Sequence, residues 1–262
     1  MTSHHQPSHA VPRPGRRFAG ETARPDVPAA SARTGSVQTA PFTAQERTSL
    51  YRLIAARRDM RHFVPGVTVD ADTLQRLLQA AHCAPSVGLM QPWRFVRIAD
   101  AALRSALARL VDDECQRTAE ALGERGRDFR RLKVEGMREC AELLVAVLAP
   151  DDGTVFGRRT MPREMALCSV ACAIQNLWLA ARAENLGLGW VSMFDPAALA
   201  ALLRLPEGAQ PLAVLCLGPV PAFYDAPMLE EEGWRSRRPL HELLFTDRWE
   251  EPAGGAGITQ AS

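Results

Sequence analysis

The sequence predicts an α/β or α+β fold around a mixed sheet, and two observations carry that expectation. Stretches with apolar residues at helical spacing alternate with short, almost wholly apolar runs through most of the chain. The composition, 47% hydrophobic and 23% charged over 262 residues, is that of an ordinary globular protein with material for one main domain.

Residues 1–42 are rich in Pro, Ser, Ala and Arg and show neither a helical nor a strand period, so they read as a disordered tail, as do residues 251–262. Order is expected over 43–250. Thr43-Ala-Gln-Glu46 has the form of a capping box ahead of Leu50, Leu53 and Ile54, which predicts a helix ending at Arg57 and Arg58. A second helix is predicted from about Asp70, with Leu74, Leu77, Leu78 and Ala81 on one face and Pro85 beyond its end. The loop Ala84-Pro-Ser-Val-Gly-Leu-Met-Gln-Pro-Trp93 leads into a strand from Arg94 to Ile98, and its Pro, Gly and small polar content suits a ligand-contacting segment.

Ala101 to Arg138 is helical and highly charged, with possible breaks at Gly123, Gly126 and Gly136; it reads either as a solvated face or as a movable cover over a pocket. The run Leu143 to Leu148 predicts a buried strand, followed by a polar loop from Asp151 to Arg159. Ala166, Val170, Ala173, Leu177 and Ala180 stack at helical spacing within Pro162 to Asn185, marking a helix for the core or a subunit interface. Gly187 to Met193 is a predicted strand with Ser192 at its end, Pro196 to Leu203 a short helix, and Leu212 to Leu217 a further strand.

A net charge of +1 supplies no general field for nucleic acid, so any anion site has to be local. The six cysteines form no Cys-x-x-Cys pair and suit a reducing compartment, and Cys168 and Cys172, one helical turn apart, read as buried small hydrophobes rather than metal ligands. No metal site is expected. No apolar run is read as long enough to cross a bilayer and no secretory pattern opens the chain, so the expected location is cytoplasmic.

Against that background, Arg57-Arg-Asp-Met-Arg61 places three fixed cations within five residues. Guanidinium forks match phosphate oxygens two at a time, which points to an oxyanion ligand; a solvated, salt-bridged turn is the plainer alternative. Asp59 sits among the three. A second basic cluster, Trp234-Arg-Ser-Arg-Arg-Pro239, follows late in the chain.

These segments, together with Ala173-Ile-Gln-Asn-Leu-Trp178 and Gly189-Trp-Val-Ser192, resemble the FMN-dependent nitroreductase superfamily, and within it the BluB-type 5,6-dimethylbenzimidazole synthase branch, over roughly residues 44–250. The resemblance implies an α+β nitroreductase fold, homodimeric, with a mixed central sheet surrounded by helices. It implies FMN as ligand, its phosphate met by Arg57, Arg58 and Arg61 and by Arg235 and Arg237, with Ser86, Met90 and Gln91 beside the flavin of a site shared between subunits. Asp59 and Ser192 match the synthase branch, which implies catalytic roles for both, reduced FMN as substrate, dioxygen as co-substrate and a separate flavin reductase as supplier. Two other readings compete: a nicotinamide-dependent nitroreductase or flavin reductase, and a flavin-binding protein without turnover. Without the resemblance, Asp59 reads as the ion-pair partner of Arg58 or Arg61, and Ser192 as a strand-end hydroxyl bonded to backbone.

Overall fold

A computed structural model describes residues 41–156, 159–160 and 162–249; the two proposed tails lie outside the described residues apart from positions 41 and 42. The compact unit begins at Thr43. There the expected capping box is formed: the Glu46 amide donates to the Thr43 hydroxyl and the Thr43 amide to the Glu46 carboxylate, opening helix α1 (Ala44–Ala56). Asp70 caps α2 (Ala71–His82) by accepting from the Thr73 amide, and Leu74, Leu77 and Ala81 are buried as the spacing predicts.

Strands β1 (Trp93–Arg97), β2 (Glu142–Leu148), β5 (Gly187–Val191) and β6 (Gln210–Gly218) form one sheet in the order β1-β2-β6-β5. The expected mixed sheet is corrected here: the three strand pairings are all antiparallel, and the parallel element is a single bridge between Asp59 and Leu188. The polar loop expected from Asp151 to Arg159 is also interrupted by two short paired strands, β3 (Val155–Phe156) and β4 (Arg159–Thr160).

The central sheet is covered on both faces. Leu144, Ala146 and Leu148 of β2 join the core beneath α2 and α5 (Arg163–Ala183), while Leu143, Val145 and Val147 face the core that takes in Leu107, Ala108 and Val111 of α3 (Ala101–Ala121) and Leu199 of α6 (Pro196–Leu202). Successive side chains point to opposite faces, so a strand buried on both sides reads as an unbroken apolar run. This explains why the run at 143–148 shows no alternation.

Helix α5 meets the length and composition of a membrane span, contrary to the sequence expectation. Its Ala166, Val170, Ala173, Ile174 and Leu177 are built into the core. The opposite face carries Cys168 and Cys172, which are exposed on the chain rather than buried as expected; Cys140 and Cys216 are the buried thiols. Helical spacing alone does not say which stripe of a nearly all-apolar helix faces inward.

Candidate active site

Arg57 ends α1 with extended backbone, and the chain then runs alongside β5. The Met60 amide donates to the Leu188 carbonyl at 3.0 Å and the Val64 amide to the Pro219 carbonyl at 2.9 Å, while the wholly buried Met60 side chain fixes the segment to the core. This approach needs Gly189: a Cβ there would lie 2.1 Å from the Met60 carbonyl oxygen and 2.8 Å from Arg61 Nη1.

Once the segment is held, its side chains acquire fixed partners. Arg61, only 8% exposed, donates from Nη1 and Nη2 to the two oxygens of Asp59 and from Nη2 to the Trp190 carbonyl at 2.9 Å. The Trp190 amide donates to Asp59 Oδ1 at 2.8 Å. Oδ1 therefore takes two hydrogen bonds from these groups and Oδ2 one. Arg58 donates to the Ala55 and Asp225 carbonyls, each at 2.6 Å. Arg57 lies 4.5 Å over the Trp178 ring, whose Nε1 donates to the Arg58 carbonyl at 3.0 Å. Burial pushes the Arg57 pKa below the usual arginine value; Asp59 opposes the fall, and Arg58 and Arg237 add to it.

These groups border a cavity of about 320 Å³ that is also lined by Ser192, just past the end of β5. Its outer wall comes from two distant segments: Phe129 of α4 (Gly126–Phe129) with Leu132 and Val134, and Met228 and Leu229 of α7 (Met228–Glu231) with Trp234. The Phe129 and Trp234 ring centroids are 6.2 Å apart, and the Arg125 guanidinium lies 4.1 Å over Trp234. The charged 101–138 segment thus contributes part of the cavity wall.

Of the residues singled out from sequence, Arg57, Arg58, Asp59, Arg61, Ser192 and Arg237 line this cavity. Arg235 does not line it; its amide donates to the Leu229 carbonyl, and the residue is exposed. Ser86, Met90 and Gln91 lie elsewhere on the same chain: Ser86 Oγ accepts from the Gln91 amide, and Met90 borders a separate cavity of about 50 Å³ with Arg94 and Arg163. The apolar wall at 129–134 and 227–229 escaped sequence reasoning, since its residues carry no motif. A Trp beside the second arginine cluster was the available signal.

The cavity suits a ligand with an anionic end and a flat apolar body. Arg57, Arg58, Arg61 and Arg237 border it with positive charge, and Trp, Phe, Met and Leu side chains supply surface for a ring system.

Residues 54–219 match the model of the nitroreductase family. The chain belongs to that family. It is 45% identical over 205 residues to a 5,6-dimethylbenzimidazole synthase of Rhodospirillum rubrum, a match covering 76% of this chain and 94% of that protein. It is 39% identical over 203 residues to a 5,6-dimethylbenzimidazole synthase of Rhodobacter capsulatus, covering 76% and 96% respectively. Among solved structures, the NADPH:FMN oxidoreductase of Vibrio harveyi in complex with NAD+ superposes with a TM-score of 0.60 at 21% identity, over 78% of this chain and 79% of that one. Nitroreductase A of Vibrio parahaemolyticus superposes equally, with a TM-score of 0.60 at 21% identity over 78% of this chain and 77% of that one, so the fold is that of the nitroreductases.

Proposed function

We propose that this nitroreductase-family chain is a 5,6-dimethylbenzimidazole synthase, fragmenting reduced FMN with dioxygen to give 5,6-dimethylbenzimidazole, the lower ligand of cobalamin, and a four-carbon sugar phosphate. The observation that carries the reading is the joining of a cationic end, a carboxylate and a hydroxyl with apolar walls in one cavity, in a chain 45% identical to a protein of that name. Bound reduced FMN supplies the reactivity toward dioxygen and the ring that is broken. The remaining work belongs to the protein.

Arg57 and Arg237 hold the phosphate, with Arg58 and Arg61 as flanking positive charge. Asp59 moves a proton at the ribityl chain through Oδ2, the oxygen with fewer hydrogen bonds, while Oδ1 stays committed to Trp190 and Arg61. Ser192 hydrogen-bonds the flavin edge. The apolar walls at Phe129, Leu132 and Trp234 limit water around the flavin.

The same reading includes a homodimer. Helix α1 buries none of its residues within the chain, and Leu50, Tyr51, Leu240, Leu244 and Trp249 are exposed, which supports a second copy covering them and bringing Ser86, Met90 and Gln91 to the neighbouring flavin. It also includes a soluble, cytoplasmic setting and a separate flavin reductase as supplier.

The test is to mix the protein with chemically reduced FMN in air and analyse the small molecules by chromatography and mass spectrometry. Appearance of 5,6-dimethylbenzimidazole with loss of flavin is the expected result. Return of oxidised FMN with peroxide alone overturns the synthase reading, and NAD(P)H turnover would then assign a reductase.

A further inference from the structure

The loop after β6 meets the arginine segment directly at two points and reaches the end of α1 through Arg182 at a third. The Arg182 guanidinium lies 3.8 Å over the Phe223 ring and donates through Nε to the Ala56 carbonyl at 3.3 Å. The Arg61 amide donates to Tyr224 Oη at 3.2 Å, and the Asp225 carbonyl accepts from Arg58. Three consecutive residues thus serve Ala56, Arg61 and Arg58. The middle contact continues outward, because Tyr224 Oη is 2.6 Å from His62 Nδ1, with the two rings edge to face at 6.0 Å.

One hydrogen-bond direction follows from the donor, and it leaves the hydroxyl proton unassigned to Arg61. The Arg61 amide can only donate, so it occupies an acceptor site of the Tyr224 hydroxyl, and the hydroxyl proton is free to go to His62 Nδ1. We propose that Tyr224, oriented by His62, is the positioning residue of the Asp59–Arg61 pair, an inference that rests on the synthase reading above. Its hydroxyl touches the backbone of Arg61, and the guanidinium of that residue carries both oxygens of Asp59. Tyr224 does not line the cavity, and the cations assigned to phosphate, Arg57 and Arg237, have no contact with its hydroxyl. Loss of the hydroxyl therefore acts first on the Asp59–Arg61 pair and leaves Arg57 and Arg237, the cations that hold the phosphate, in place.

The experiment compares Tyr224→Phe, His62→Ala, His62→Gln and the Tyr224→Phe/His62→Ala double variant by three readouts. These are deuterium uptake at the Arg61 amide in ligand-free protein, FMN affinity from flavin fluorescence, and product formed per bound flavin. In Tyr224→Phe the Arg61 amide exchanges about tenfold faster and product per bound flavin falls about tenfold, as for loss of one hydrogen bond, while affinity stays within about threefold. His62→Ala moves both affected readouts in the same direction by a smaller factor, His62→Gln restores them through its side-chain carbonyl, and the double variant matches Tyr224→Phe. His62 is exposed, so His62→Ala decides the matter even if Tyr224→Phe does not fold.

Unchanged product per bound flavin in Tyr224→Phe beside an active wild type overturns this inference alone. So does a loss of product that merely follows a loss of affinity, or additivity of the two single variants. Absence of product from the wild type overturns the proposed function, and this inference with it.

Discussion

Arg61 and Arg237 border the same cavity but are held in opposite ways. Arg61 is 8% exposed and bound through both terminal nitrogens to Asp59, with backbone carbonyls of Met60 and Trp190 completing its surroundings. Arg237 stands on an irregular segment with its side chain 69% exposed, and its ion pair with Glu230 spans 3.4 Å. The first cluster is organised before any ligand arrives, whereas the second can adjust to one. Preorganisation suits groups that must meet a reacting atom; an exposed, adjustable cation suits a charge that only has to be neutralised.

That contrast can be broken most directly at Asp59. Asp59→Asn is expected to lower product per bound flavin by about a hundredfold or more, the usual scale for a proton-transfer group, with FMN affinity mostly kept. Unchanged chemistry with lost affinity would make Asp59 a purely structural partner. Next in size, Arg61→Met strips donors from Asp59 and the Trp190 carbonyl and is expected to cost about 2 kcal/mol of stability, read from denaturant unfolding. A stability equal to wild type would show the inner cluster to be no more organised than the outer one.

Arg237→Ala is expected to leave stability within about 0.5 kcal/mol and weaken FMN binding about tenfold, with a shallower dependence of affinity on salt. Loss of fold instead would erase the distinction between the clusters. Arg235→Ala, at an exposed residue that does not line the cavity, should change affinity less than about twofold, within the range of ordinary surface substitutions. A larger change, measured by flavin fluorescence, would bring the whole late cluster into the site.

Much of this was legible in the sequence because local chemistry wrote it there. Thr43 and Glu46 announce α1, Asp70 announces α2, and the Arg57 to Arg61 segment announces the site. What remained hidden depends on distant partners. Arg235 and Arg237 look equivalent in the chain, yet only the latter lines the cavity, since side-chain direction on irregular backbone is set by what it packs against. Strand direction was hidden as well: a strand buried on both faces has the same apolar run whether its neighbours are parallel or antiparallel. Cys168 and Cys172 were misplaced because a nearly uniform apolar helix offers no polar stripe to orient it.

The missing side chain at position 189 sets the degrees of freedom of the whole site. With Met60 hydrogen-bonded to Leu188 and no Cβ between the two backbones, the segment bearing Asp59 lies directly against β5. The strand that ends beside Ser192 and the segment that carries Asp59 are therefore joined backbone to backbone. The other wall, where Phe129 meets Trp234, is held by a side-chain contact between segments far apart in the chain, so the two walls of the cavity are fastened by different means.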